Sequence, residues 1–327
     1  MIRPTFPARW LPIAALATIV VLPGCAAASP PVGREPGFGA HVGAGCNGRA
    51  DIPRYEKFVG RKLEWSTDAF DQRDWAKLRS SIDWLSGCWR GTDVKLIISI
   101  PMIAQSGPGT LKDGAEGKFD DIFLHSAKTL VKDGHDKVVI RIGWEFNGGW
   151  QPWAANKDPA NFIAYYRRAV GLMRSVPGQH FKFEWTPNIG RNALPAEQGY
   201  PGDDVVDIIG MDIYNEYWTP ALANTQVRFA WFVNQPYGLN WLRDFGKQHH
   251  KPIAFSEWGS GTRKDGHGAG DDPYFITKMA EWMRANDVLY HSYWESAESS
   301  YDDSVTRGAH PLAGKAFREA FGKRRKS

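Results

Sequence analysis

Short apolar runs alternate along the chain with longer runs whose apolar positions recur every three or four residues. The runs at 38–43, 62–66, 94–102, 137–144, 181–185, 205–214, 252–258 and 288–294 are rich in Val, Ile, Phe and Trp and predict strands. Residues 74–86 carry Trp75, Leu78, Ile82 and Leu85 at helical spacing, and 119–132, 158–175, 239–249, 271–285 and 311–321 also read as helices. Asp158-Pro159 and Asp271-Asp272-Pro273 supply the cap and first turn of two of them. Several strands, such as VKLIISIPM at 94–102, are almost continuously apolar, as buried parallel strands are. Eight strands with a helical connection after nearly every one predict a single α/β domain, a (β/α)8 TIM barrel over 37–323. Nothing resembling G-x-G-x-x-G follows the first strand, which weakens a dinucleotide-binding fold. No internal repeat or second domain is visible.

The N-terminus has a different pattern. Arg3 and Arg9 precede an apolar stretch at 13–22, broken only by Thr18. That stretch is too short to span a bilayer, so 1–24 is expected to be an export signal. Leu22-Pro23-Gly24-Cys25 resembles a bacterial lipobox, in which Cys25 would be lipidated and become the new N-terminus, although Pro23 is atypical. The other reading is ordinary cleavage after Ala26-Ala27-Ala28 and secretion. On either reading the mature chain works outside the cytoplasm, as a cell-envelope lipoprotein or a secreted protein. Residues 25–36 read as a flexible tether, and 324–327 as a solvated basic tail. Export opens the possibility of a Cys46–Cys88 disulfide. The barrel reading places Cys46 after a strand and Cys88 after a helix, at opposite barrel ends, which argues against it.

Composition narrows the function. Of 327 residues 43% are hydrophobic and 23% charged, as in a folded globular protein. The net charge is +4, from 40 basic and 36 acidic residues, and about +2 once Arg3 and Arg9 are removed, too little to argue for nucleic acid. No cofactor is expected, the only membrane contact expected is a lipid at Cys25, and the chain is expected to act as a monomer. The 15 Trp beside 34 Gly suggest flat platforms for sugars.

In a barrel of this kind the active site lies at the C-terminal ends of the strands. His41 ends the first. The fourth ends with Arg141, Trp144, Glu145 and Asn147, followed by Trp150 and Trp153; the fifth with Trp185 and Asn188. The sixth ends with Tyr214, then Trp218, the seventh with Glu257 and Trp258, and the eighth with Trp294. A Glu at the ends of strands four and seven is what retaining glycoside hydrolysis needs: one protonates the leaving oxygen and later activates water, the other attacks the anomeric carbon. Trp144, Trp150, Trp153, Trp185, Trp218, Trp258 and Trp294 are candidate stacking faces, with Asn188 and His41 candidate partners for hydroxyls. Each of these residues alone has an ordinary structural reading; it is their coincidence at one barrel end that points to a site.

The arrangement R-x-x-x-E-x-N at Arg141, Glu145 and Asn147, followed by an aromatic cluster, resembles the acid/base strand of glycoside hydrolase family 26, the β-mannanase family of clan A. Trp185-Thr186-Pro187-Asn188, Asp212–Tyr214 and Phe255–Gly259 resemble its fifth, sixth and seventh strands. The resemblance implies that Glu145 is the acid/base, Glu257 the nucleophile, Tyr214 the partner of Glu257, and Arg141 the residue orienting the carboxylates, with Asn147 in support. It implies a retaining endo-glycoside hydrolase acting on a β-linked polysaccharide, β-1,4-mannan or a related bacterial or plant glycan. One position departs from the family: Trp144 stands where it usually has His, which bears on specificity more than on mechanism. A catalytically silent glycan-binding barrel lipoprotein is the alternative, and the presence of both Glu argues against it. A metal-dependent hydrolase would need a pair such as H-x-x-x-H, and His249-His250 are merely adjacent.

If Cys25 carries lipid, the exported protein partitions into detergent and Cys25→Ser releases it into the aqueous phase. Equal partitioning of the two forms, measured by detergent phase separation, rules lipidation out.

Overall fold

Eight parallel strands, neighbours in the order they occur along the chain, close on themselves into a barrel. The computed structural model describes residues 34–322, so the expectations for 1–33, including Cys25, and for the tail from 323 lie outside the described residues. The strands are β1 (Gly37–His41), β2 (Trp65–Ala69), β3 (Lys95–Ile100), β4 (Val139–Ile142), β5 (Lys182–Trp185), β6 (Ile208–Tyr214), β7 (Ile253–Gly259), the short β8 (Thr262–Arg263), β9 (Tyr290–Trp294) and the short β10 (Tyr301–Asp302). β1 and β9 seal the barrel in register from Gly37↔Tyr290 to His41↔Trp294. β8 and β10 form a separate antiparallel ribbon.

Around the barrel run α1 (Gly45–Val59), α2 (Trp75–Trp89), α3 (Leu111–Ala115), α4 (Asp120–Lys132), α5 (Pro159–Arg174), α6 (Thr225–Asn234), α7 (Leu239–Gln248), α8 (Pro273–Ala285) and α9 (Pro311–Phe321). The expected caps form: Asp158 accepts from the Asn161 amide, and Asp272 from those of Tyr274 and Phe275. α1, α3 and α6 escaped the periodicity reading. α1 opens Gly-Cys-Asn-Gly, contains Pro53 and has no side-chain cap, so only Ile52, Tyr55 and Val59 mark its buried face. β2 lies three residues later than expected because its buried positions, Ser66, Thr67 and Asp68, are polar. Each is hydrogen-bonded: Thr67 Oγ1 crosses the barrel to the Ser256 carbonyl at 2.9 Å, Ser66 donates to the Ala40 carbonyl, and Asp68 faces the helix layer.

Inward side chains stack in layers. Ile97, Val139, Ile208, Ala254 and Tyr290 form an apolar floor near the strand starts. The next residues up on the same faces include Ser99, Arg141, Glu184 and Ser256, all buried and polar. Gly210 makes room for this layer: a Cβ there would stand 2.1 Å from Oε1 of Glu184. At the next level β7 gains a residue relative to β6: Gly210 pairs with Ala254, but Asp212 pairs with Glu257. With strict alternation Ala254 and Ser256 would point inward and Glu257 outward. The bulge reverses that parity and turns Glu257 to the axis.

Cys46 and Cys88 form a disulfide with Cα atoms 4.7 Å apart, correcting the expectation that they sit at opposite ends. α1 begins so soon after β1 that its first turn lies beside Asp68. One oxygen of Asp68 accepts from both the Gly45 amide and the Trp89 indole at 2.7 Å, drawing the neighbouring cysteines together. The bridge spans 42 positions, so its loss is expected to cost about 2–4 kcal/mol, read as a lower denaturation midpoint in Cys46→Ser/Cys88→Ser. Two free thiols by mass in unreduced exported protein would contradict the bridge.

Candidate active site

The fourth strand delivers two functional groups by different means. Arg141 points inward from β4 and is fully buried. Its guanidinium donates to Glu257 Oε2 at 3.0 Å, to Ser99 Oγ at 3.2 Å, and to Asp212 in a shorter contact. Glu145 lies beyond the strand, after Gly143, and its backbone has φ 53°, in the left-handed region disfavoured for a residue with a Cβ. The Glu145 amide donates to the Thr186 carbonyl at 2.9 Å and its carbonyl accepts from the Gly148 amide at 3.0 Å, which hold that conformation.

Both Glu145 oxygens are engaged. Oε1 accepts from Asn188 Nδ2 at 2.7 Å, and Oε2 from the Trp150 indole at 2.8 Å and Gln151 at 3.3 Å. Asn147 clamps the backbone of Asn188, accepting from its amide at 2.8 Å and donating to its carbonyl at 2.9 Å. Asn147 is thus a buried brace for the residue that touches Glu145. Glu257 accepts from Tyr214 Oη at 2.7 Å on Oε1 while Arg141 occupies Oε2.

Burial raises the Glu145 pKa above the ordinary carboxylate range, and the negative charge of Glu257 raises it further; Trp150, Asn188 and Arg141 pull against this. Burial, then the charge of Glu257, pushes the Tyr214 hydroxyl well above its usual value, so it keeps its proton and donates. Burial works against the charge on Arg141, but Asp212, then Glu257 and Glu184, outweigh it and keep the guanidinium protonated.

Glu145, Glu257, Tyr214, Trp150, Asn188 and Trp218 line one cleft of about 780 Å³. Trp150 and Trp218 are 55% and 62% exposed. Trp218 stacks on His267 with ring centroids 3.9 Å apart, and Arg263, paired with Glu216 at 2.7 Å, lies beneath the same ring.

The other expected platforms need correction. Trp153 is fully buried, its indole donating to the Trp144 carbonyl. Trp144 is buried too, packed against Trp153 and with the Arg141 guanidinium over its ring, so its face is not open to a sugar. Trp185 is buried, donating to the Gly199 carbonyl at 3.0 Å. Trp258, next to the bulge, turns away from the axis into the helix layer, where it donates to His291 at 3.1 Å and stacks on Phe317. His41 and Trp294 stack on each other at 3.8 Å and do not line the cleft.

Three residues at the site were missed. Asp212 sits two before Tyr214, so both share the inward face of β6, a period-two signal that was available. Glu184, the lone charge between Phe183 and Trp185, accepts from Thr186, Ser256 and Tyr290. Gln151 gave no signal beyond its place after Trp150.

Two carboxyl groups stand in one cleft at the C-terminal end of a (β/α)8 barrel, one with a raised pKa and one held by Arg and Tyr, an arrangement of the kind glycoside hydrolysis requires. The family model described as glycosyl hydrolase family 26 matches residues 101–234, a span that includes Arg141, Glu145 and Tyr214 and stops before Glu257. The chain is similar to a mannan endo-1,4-beta-mannosidase of Bifidobacterium adolescentis, 30% identical over 156 residues, covering 46% of this chain and 15% of that protein. It is also similar to endoglucanase H of Acetivibrio thermocellus, 24% identical over 310 residues, covering 87% of this chain and 30% of the relative. The chain thus spans well under half the length of these curated relatives. Among solved structures, the catalytic domain of the Bacillus sp. JAMB-750 GH26 endo-beta-1,4-mannanase shares the fold at a TM-score of 0.61 and 18% identity, covering 88% of this chain and 86% of that one. Over the matched span the chain is similar to glycosyl hydrolase family 26, and its fold is that of the solved mannanase domain.

A carboxyl whose pKa is raised on folding costs stability once it ionises. Below the unfolded pKa, about 4.3, both states are protonated and nothing is lost; above it the folded state pays until Glu145 itself ionises. Glu145→Gln is therefore expected to raise the melting temperature relative to the parent at pH 7 but not at pH 4. A difference independent of pH would show that Glu145 is not held in its acid form by the fold.

Proposed function

We propose that this chain is an exported retaining endo-glycosidase that cleaves a β-linked polysaccharide, β-1,4-mannan or a related bacterial or plant glycan. The observation that carries the reading is the pair of carboxyl groups lining one cleft in opposite electrostatic settings. Glu145 is the acid: its raised pKa keeps a proton available for the leaving oxygen, after which its carboxylate draws a proton from water. Glu257 is the nucleophile. Tyr214 and Arg141 fix its two oxygens on the barrel axis, from which it attacks the anomeric carbon and forms the glycosyl-enzyme. Trp150 and Trp218 supply exposed faces for sugar rings, and Asn188 reaches both Glu145 and the cleft. The names of the two curated relatives, a mannosidase and an endoglucanase, support β-glycan as substrate class. Monomeric action and a lipid at Cys25 belong to the same proposal.

Incubation with mannans, xylans, β-glucans and bacterial exopolysaccharides is expected to release reducing ends from at least one. Glu257→Gln cuts kcat by several orders of magnitude with the fold intact. Tyr214→Phe loses less, about 10–150-fold, the worth of one hydrogen bond to a charged group at about 1.5–3 kcal/mol. Azide restores Glu145→Ala on an activated substrate and gives a glycosyl azide of retained configuration. An inverted product, or a 2-fluoro-sugar label on a peptide lacking Glu257, defeats the retaining mechanism.

A further inference from the structure

The barrel has a second cavity, at the end opposite the carboxylates. It holds about 470 Å³ and is lined by Arg34, Arg243, Lys247, His250 and Lys251, with Asp287 its one acidic lining residue. These residues come from the approach to β1, the end of α7, the turn into β7 and the turn between α8 and β9, all at the strand starts. Asp244 pairs with Arg243 at 2.7 Å, and Lys251 Nζ donates to the Asp203 carbonyl at 2.7 Å. Arg34 and Lys247 make no side-chain hydrogen bond or ion pair among the described residues. A cation at a helix C-terminus complements the helix dipole, which accounts for Lys247 in the last turn of α7. It does not account for Arg34 and Lys251, which stand on no helix.

The second observation is where the chain enters. Arg34 stands on the cavity, and the next residue, Glu35, is tied to Arg284 at 2.7 Å. Nine positions separate Arg34 from Cys25. At a maximum of about 3.3–3.6 Å per residue, a lipid on Cys25 would keep this end of the barrel within roughly 30 Å of a membrane. We propose that the basic base of the barrel docks on anionic phospholipid headgroups, which turns the cleft away from the membrane. The cavity is concave and cationic, so several headgroups can crowd against it, each Lys or Arg adding about fivefold to partitioning.

The test uses the form beginning at Ser29, which has neither leader nor Cys25, so that failure of lipidation and failure of docking are separate results. This form is expected to sediment with vesicles containing phosphatidylglycerol, not with pure phosphatidylcholine, and to lose binding between about 50 and 500 mM salt. Arg34→Glu with Lys247→Glu is expected to lower partitioning at least about 30-fold while the protein stays folded, its melting temperature falling slightly because Lys247 leaves the C-terminus of α7. Should the reversal disturb folding, Arg34→Gln with Lys247→Gln carries the same test with a smaller drop. The proposal is overturned if the parent does not sediment with phosphatidylglycerol vesicles, or if a folded charge variant partitions as the parent does. Displacement of the parent by millimolar inorganic phosphate at constant ionic strength also overturns it, in favour of a single-phosphate site.

Discussion

A guanidinium buried on the barrel axis is the constraint on which the site depends. Arg141 has no access to water, so its charge must be answered by protein groups. Glu257 and Asp212 answer it by direct contact, and Glu184 stands close enough to act through its charge. These acidic groups come from three strands, β5, β6 and β7, so the pairing also fixes how those strands present their ends. The cost of burying Arg141 is offset by the same contacts that aim Glu257. A residue that only balanced charge could sit anywhere in the interior; one that reaches Glu257 Oε2 at 3.0 Å sits at the level where Glu145 opens into the cleft.

The two carboxyl groups are placed by two local departures from regular structure. Glu145 occupies a left-handed backbone position just past a strand, and Glu257 occupies a strand position whose facing is reversed by one extra residue. Both are irregularities held by several hydrogen bonds or ladder pairs, as expected where a site demands geometry that a regular strand does not provide. The surroundings then differentiate them: one is braced by neutral donors from Trp150, Asn188 and Gln151, the other by Arg141 and Tyr214.

Much of this was legible in the sequence. The apolar runs fall on all eight barrel strands, because parallel strands buried on both faces leave a continuous hydrophobic trace. β2 was displaced because its burial falls on polar residues; α1 was overlooked because Gly and Pro interrupt its helical signal, α3 because five residues are too few to show a period, and α6 because a buried Arg228 breaks its apolar face. Glu145, Glu257, Arg141 and Tyr214 could be picked out because chemistry gathers at strand ends. The tryptophans could not be sorted the same way. Trp153, Trp185 and Trp258 follow or end strands just as Trp150 and Trp218 do, yet a single residue of parity or one turn of loop decides between cleft and core. The disulfide was hidden because it depends on how early α1 begins, which pattern alone does not fix.

The apolar floor of Ile97, Val139, Ile208, Ala254 and Tyr290 has a further consequence. It sets an apolar layer beneath the buried Arg141, Glu184 and Asp212, and of its side chains only the Tyr290 hydroxyl reaches up, to Glu184. The charges above it must therefore balance among themselves and with the groups on their own level. The polar layer is a closed circuit on an insulating base, and taking out one member leaves the others without an answer.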